Sequence, residues 1–588
     1  MKERLTMLLA CLFLMIGGVI AQTKVSGTVT SQEDGQPVIG ASVLVVGTQV
    51  GTVTDANGRF SLTCPEGKNT LRITYVGMEP IEVSARSNMR IVLTNDQTAL
   101  DEVVVVAYGT AKRQSITGAV SSIDSKEIEK RIGTTVTGAL EGAAPGVQVN
   151  NTYGEPGAEP TIRIRGIGSL NGSNTPLYVV DGIIYNGNIA DLNPDDIQSM
   201  SVLKDAASAA LYGNRASAGV IIITTKSGSS NKAQINLKVN HGFYNRGIPE
   251  YDRMGVTDFM ETSWKALKNW AMTGSLGLDE AAAKEYAGKK LITSVNLRNI
   301  FDRPDDQLFD GEGHLVANQL AGYTDLDWED RIERTGQRQE YVLSGTYSNE
   351  KVNVYSSLGY LKERGYVIGS DYERYTARVN TSYTPNKWIT AGVNVNGAIS
   401  TQHFNNNANG SYYSNPFYTA RYMAPVYPYY MHNEDGSIML DQNGEPVWDT
   451  TSPYLDNRNI AYELTKDKDT RKRSVLNGTA FLTLNLPYDF SFTVKGNMSH
   501  RSQPRQHYNN AEIGDGATNG GRLTQYNYDY EDYTMQELLN WGHDYGKHHV
   551  DALVGHENTH YGADYIYGMN TGMAVDGVFV LNNFLTNS

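Results

Sequence analysis

Three stretches of this 588-residue sequence carry residue types at spacings that chemistry could use. His556-Glu557-Asn558-Thr559-His560 fits H-E-x-x-H, in which two histidines four apart hold one zinc and the glutamate between them acts as base. That chemistry requires a helix. This copy follows the β-prone run His549–Val554 and Gly555. On a strand the two histidines stand ~13 Å apart at about 3.3 Å per residue, too far for one metal at ~2 Å. Gly166-Ile167-Gly168-Ser169-Leu170-Asn171-Gly172 comes near the dinucleotide glycine pattern. Asn171 stands where that pattern wants glycine, and Pro176 and a strand follow where a helix should open, so the stretch reads as a polar loop. Asp55-Ala56-Asn57-Gly58 resembles the start of a calcium loop but lacks the twelve-residue length and terminal glutamate, and reads as a turn. With no phosphate-loop lysine signature either, the expectation is a non-enzymatic chain with no catalytic residues, no metal site and no cofactor.

A fourth stretch points to recognition. Leu100–Thr110 (LDEVVVVAYGT) sets four consecutive valines behind two acids. β-Branched side chains favour extended backbone, so the segment is a strand. It reads either as an ordinary buried strand or as a docking strand that adds to the edge of a partner's sheet through main-chain hydrogen bonds. Its place between two folded units and its acidic start favour docking.

The elements around these residues are β-rich. Charged residues make up 19% of the chain, and 37 Tyr and 58 Gly argue against disorder. Fifty basic against 64 acidic residues give a net charge of −14, which disfavours a nucleic-acid partner. Past residue 21 no apolar run approaches the ~20 residues of a membrane helix, which excludes a polytopic helical protein. Tyrosine far exceeds phenylalanine, 37 to 13, as suits a large β-protein embedded in an outer membrane.

Lys2 and Arg4, the apolar Met7–Ile20 and the small residue Ala21 make residues 1–21 an export signal, with Cys64 the one cysteine after a cut there. Residues 22–98 show short alternating strands with turns about every ten residues, a small β-sandwich, ending in a polar linker at Asn95–Ala99. Residues 111–229 are mixed α/β. Helices are expected at Ile123–Ile132, Thr135–Leu140, Asp195–Leu203 and Ala206–Leu211. Strands are expected at Gly146–Val149, Thr161–Arg165, Leu177–Val180 and Gly219–Thr225.

From residue 230 to 588 the period is two. Ile235, Leu237 and Val239 oppose Asn236 and Lys238; Ile389, Ala391, Val393 and Val395 oppose Thr390, Asn394 and Asn396; Ala480, Leu482 and Leu484 oppose Thr479 and Thr483. Apolar-out, polar-in strands of ~10 residues mark a membrane barrel, though a soluble sandwich with one wet face shares the pattern. Long polar segments, near Asn245–Gln337 and Gln402–Thr470, interrupt the strands. The first is expected to hold a helix at Asp258–Met272 with Asp258 and Glu261 as a capping pair.

Residues 24–83 resemble the carboxypeptidase-regulatory-like domain, through GTVT…GQPVIGASVLVVGTQVGTVTDANGRFSL. The stretches DEVVVVAYGT (Asp101–Thr110), GALEGAAPGVQV (Gly138–Val149), IRIRGIGSLNGSNTPLYVVDG (Ile162–Gly182) and LKDAASAALYGNRASAGVIIITTKSG (Leu203–Gly228) resemble the SusC/RagA-type TonB-dependent transporters of the outer membrane of Bacteroidota. The resemblance implies a TonB box, within 99–110, formed by Asp101, Glu102, Val103, Val104, Val105, Val106, Ala107 and Tyr108. It implies that 111–229 plugs a barrel begun by 230–588, with plug and sandwich on the periplasmic side and long loops outside. It further implies TonB with its inner-membrane motor as energy source, a SusD-like surface lipoprotein as lid, and a glycan or peptide as cargo. The family's optional signalling domain has no room before the box.

Nine or ten strands after residue 230 fall short of the about 22 of plugged transporters, so the expectation is an amino-terminal portion that does not transport by itself. A surface adhesin or interaction scaffold is the competing reading; it would not need the box.

Overall fold

The computed structural model describes residues 23–32, 36–48, 50–65, 68–75, 78–93, 103–106, 109–112, 120–130, 133, 135–150, 154–205, 209–404, 415–452, 457–546 and 548–587. The expected export signal and the expected linker fall outside them. The chain divides between residues 119 and 120 into two compact units.

In the first unit, alternating residues build a sandwich. Strands β1 (Thr23–Ser31), β4 (Arg59–Cys64) and β7 (Met89–Leu93) form one sheet in the order β4-β1-β7. Strands β2 (Ser42–Val45), β3 (Gly51–Val53), β5 (Thr70–Tyr75) and β6 (Met78–Ser84) form the other in the order β3-β2-β5-β6. β1 pairs antiparallel with β4 and parallel with β7, so the first and last strands are neighbours. Every second residue points inward, and Val25, Val29, Val43, Phe60, Leu71 and Ile73 close the core with Cys64 buried among them. Asp55 caps a turn, its Oδ1 accepting from Asn57 N and Arg59 N, both at 2.8 Å. Gly58 closes that turn at φ 70°, where a Cβ would lie 2.5 Å from Val29 O. Beyond the sandwich, β8 (Val103–Val106) and β9 (Gly109–Lys112) form an antiparallel hairpin, from Val103↔Lys112 to Val106↔Gly109.

The second unit opens with a five-stranded sheet in the order β10-β15-β16-β13-β14: β10 (Val120–Asp124), β13 (Leu177–Val180), β14 (Ile183–Ile184), β15 (Ile197–Leu203) and β16 (Val220–Thr225). β11 (Val147–Asn150) and β12 (Thr161–Ile164) pair separately. The strand expectations hold; several helix expectations do not. Asp195–Leu203 is no helix: Ile197–Leu203 is a strand between β10 and β16, and burial of Met200, Val202 and Leu203 there outweighs the helix-like NPDD start. Val120–Asp124 is likewise a strand, and only Ser125–Glu129 (α1) is helical, with Asp124 accepting from Glu127 N at 2.9 Å. Val136–Leu140 and Ala210–Ala216 are 3-10 turns, and 206–208 lie outside the described residues.

A ten-stranded antiparallel meander follows: β17 (Gln234–Tyr244), β18 (Gly336–Ser348), β19 (Val352–Arg364), β20 (Asp371–Asn386), β21 (Ile389–His403), β22 (Lys468–Asn485), β23 (Phe490–Asn509), β24 (Arg522–Tyr545), β25 (His548–Met573) and β26 (Phe584–Asn587). Its outermost strands are β17 and β26. Turns at one end are tight, as at 349–351, 387–388 and 486–489; the long connections all leave from the other end.

The long connections are less polar inside than their composition implies. Helices α2 (Val256–Thr273), α3 (Glu280–Val295), α4 (Trp328–Ile332), α5 (Pro416–Tyr422) and α6 (Ile460–Lys466) share one core around Met260, Trp264, Leu291, Trp328, Met423 and Ile460. The expected capping pair on α2 is absent. Gly255 is the cap, without a side-chain bond, while the Glu261 carboxylate accepts from Leu315 N at 3.1 Å.

Candidate functional site

The ten-stranded sheet separates two chemistries because adjacent residues point to opposite faces. On the outer face stand Leu237, Leu343, Leu358, Val379, Val395 and Leu476, all exposed. Tyr341, Tyr360 and Tyr375 line up across three strands, with centroids 6.3 and 4.9 Å apart. Eight residues further along β20 is Tyr383, exposed near Trp388, and on β23 and β24 Phe490 meets Trp541 at 6.3 Å. Eight residues of a strand tilted by ~40° span about 20 Å of height, near the ~25 Å apolar band that aromatic girdles flank in outer-membrane barrels.

The inner face is polar and buried, and the α/β plug covers it. Arg374 (2% exposed) donates through Nη1 to Ala190 O at 2.6 Å and Leu192 O at 3.0 Å, and Tyr372 Oη donates to Ala190 O at 3.2 Å. Gly157 packs on the Tyr372 ring, where a Cβ would sit 2.3 Å from ring carbon. Arg473 Nε lies 3.1 Å from Asp191 Oδ1, and Lys238 Nζ donates to Asp195 Oδ1 at 2.5 Å. Tyr355 Oη donates to Asp196 Oδ1 at 2.9 Å, with Arg378 Nε 3.6 Å from Oδ2 of the same carboxylate. Deeper along the strands, Lys495 donates to Asp181 O at 3.1 Å, Gln536 to Gly182 O at 3.2 Å, and Arg501 to Asn186 O at 2.6 Å. Asn380 reaches Thr225 Oγ1 at 2.9 Å and Lys226 O at 2.7 Å.

Asp191 and Asp195 sit where carboxylates are costly. Burial pushes both carboxyls above the usual range, while Arg473 and Arg374 at Asp191, and Lys238 at Asp195, pull the other way. Their burial is tolerable because wall cations face them. They are held by two 3-10 turns, Ile189–Asp191 and Pro194–Asp196, each capped by the preceding asparagine: Asn188 accepts from Ala190 N and Asn193 from Asp195 N. Sequence reasoning missed these residues, taking 195–203 for a helix. The visible signal is the paired Asn-x-x-Asp spacing in NIADLNPDD.

Of the expected docking strand, Val103, Val104, Val105 and Val106 form β8; Asp101, Glu102, Ala107 and Tyr108 lie outside the described residues. The H-E-x-x-H stretch lies on β25. His556 pairs across from Glu537, 2.8 Å from its carboxylate on the outer face, while Glu557 accepts from Gln536 at 2.8 Å on the inner face. Histidine and glutamate therefore point to opposite sides of one strand. The glycine loop is tied by Asn174, whose Oδ1 accepts from Gly168 N at 2.8 Å and Ser169 N at 2.9 Å.

Residues 112–220 match the TonB-dependent Receptor Plug Domain, and 25–105 match the CarboxypepD_reg-like domain. The chain is 35% identical to the TonB-dependent receptor SusC of Bacteroides thetaiotaomicron over 65% of its own length and 34% of that protein's. It belongs to the SusC/RagA-type TonB-dependent transporters. A TonB-dependent receptor of Formosa agariphila is 30% identical over 92% of the chain and 46% of the relative. The fold agrees with that of the RagAB peptide importer in its open-open state, at a TM-score of 0.61 and 22% identity, covering 83% of this chain and 52% of that one. The chain thus spans half or less of the curated SusC-type relatives' length. This family is a transporter class, not an enzyme class.

Proposed function

We propose that this chain supplies the gate and the first strands of the wall for TonB-driven uptake of a glycan oligosaccharide or peptide across the outer membrane. One observation carries the reading. A compact α/β unit is bonded through Asp181, Asp191, Asp195, Asp196 and neighbouring carbonyls to the polar inner face of a sheet whose outer face suits lipid. A docking strand, Asp101–Tyr108, precedes it in the chain. The proposed parts are signal 1–21, sandwich 22–98, TonB box 99–110, plug 111–229 and barrel strands from 230.

In this reading the plug and sandwich face the periplasm and the helical connections face outward, where a SusD-like lipoprotein would close over the cargo. Tension on the box loosens the plug, energy comes from the inner-membrane motor, and the chain itself catalyses nothing. Deleting 101–108 in the full-length protein should stop energised uptake while leaving surface binding intact. Unchanged uptake would refute the assignment of the box.

A further inference from the structure

The outer face of the sheet should be convex and evenly apolar, yet it carries a groove of about 1050 Å³ between β18 and β23. Ala377 and Gly397, adjacent in register, lie on its floor; Leu343, Leu358, Leu476 and Met498 flank it. Gly397 has no internal reason to be glycine. A Cβ there would meet only Val475 O at 3.7 Å, and its φ is ordinary. Gly359 differs, for its Cβ would fall 2.5 Å from Thr376 Oγ1. Glycine inside a strand weakens it and often marks close approach by something else.

The polarity above the floor is graded. One register step toward the long connections, Tyr341, Tyr360 and Tyr375 share a row with Ser474 and Ser502. One step further, the row carries exposed Lys362 and Lys472, with Glu373 between them accepting from the Tyr375 hydroxyl at 2.7 Å. Lys362 stands directly across from Glu373, and Lys472 lies two strands further along the same row, past Thr401.

We propose that this groove is a specific site for an acylated, phosphate-bearing glycolipid of the outer leaflet, of the lipid A class. An acyl chain lies over Ala377 and Gly397, ester groups meet Ser474 and Ser502, and phosphate lies by Lys362 and Lys472. The inference rests on the outer-membrane reading above.

The full-length protein would be extracted from its own outer membrane into polymer-bounded nanodiscs, exchanged into detergent, and its retained lipid quantified by mass spectrometry. Wild type should retain lipid A-class molecules above their bulk ratio to phospholipid. Gly397→Leu, which the space at that position admits, should lose this enrichment while keeping heat-resistant barrel mobility. Lys362→Gln and Lys472→Gln should each weaken retention about fivefold, as expected for one lysine's attraction to an anionic lipid surface. Bulk-ratio lipid in wild type, enriched phospholipid instead, or equal retention by wild type and Gly397→Leu would each overturn the site while leaving the barrel reading intact. Recovery of the protein outside the outer membrane would overturn both.

Discussion

Arg374→Met tests whether the wall holds the plug through its main chain. Arg374 is buried and gives hydrogen bonds to two buried carbonyls, Ala190 O at 2.6 Å and Leu192 O at 3.0 Å. Methionine keeps most of the volume and removes the donors. Each stranded carbonyl costs ~1–3 kcal/mol, and the Tyr372 hydroxyl continues to serve Ala190 O. With Leu192 O the one carbonyl left stranded, the net loss is about 2 kcal/mol, on the order of 30-fold in the equilibrium for local undocking. Hydrogen exchange on the protein in nanodiscs reads this directly. Amides of 189–203 should lose protection by that factor, while those of β21 and β22 keep theirs. Arg374→Lys, which retains one donor group, should fall between. A loss under about threefold at 189–203, or an equal loss in the strands, would show that the plug is held by shape rather than by these bonds.

Asp191→Asn leaves Arg473 facing a neutral amide in a buried site, and should destabilise the plug by about 3–5 kcal/mol. Limited proteolysis should show it, and adding Arg473→Met should recover most of the loss. At Asp55, hydrogen bonds from Arg59 N and Asn57 N hold the carboxyl below its ordinary 3.8. That stabilisation is complete above the unfolded value and fades as pH falls through the lower folded one. Sandwich unfolding followed by exchange at Val29 and Gly58 should therefore steepen in acid for wild type, and less for Asp55→Ala.

Much of the fold is legible because it repeats locally. Period-two alternation fixes which face of each barrel strand meets lipid, and β-branched runs such as GVIIITT fix the plug strands. The same local rule put His556 and Glu557 on a strand. It failed at Ile197–Leu203, whose capping-like NPDD start sits beside residues made strand by neighbours on both sides. It also hid the core shared by the long connections, where Met260 and Trp264 belong to one buried cluster with Ala420 and Met423, more than 150 residues away. The plug anchors were illegible for a related reason. Arg374 meets Ala190 across 184 residues, and no pattern within either segment encodes the register between them. Asp181 stood within a recognised motif, LYVVDG, and its bonds from Thr225 close between neighbouring plug strands, but its tie to Arg378 on the wall exists only once the plug is seated.

The order of parts along the chain has a mechanical consequence. The sandwich closes on itself, with β1 beside β7, and both of its ends precede the proposed docking strand. In the function proposed above, a motor gripping Asp101–Tyr108 would pull on the plug through the residues that follow, beginning with β9 and reaching β10 at the edge of its sheet. In chain order the sandwich would then precede the grip point, off the load path. Without an internal disulfide at Cys64, it need only outlast thermal fluctuation, never the stroke.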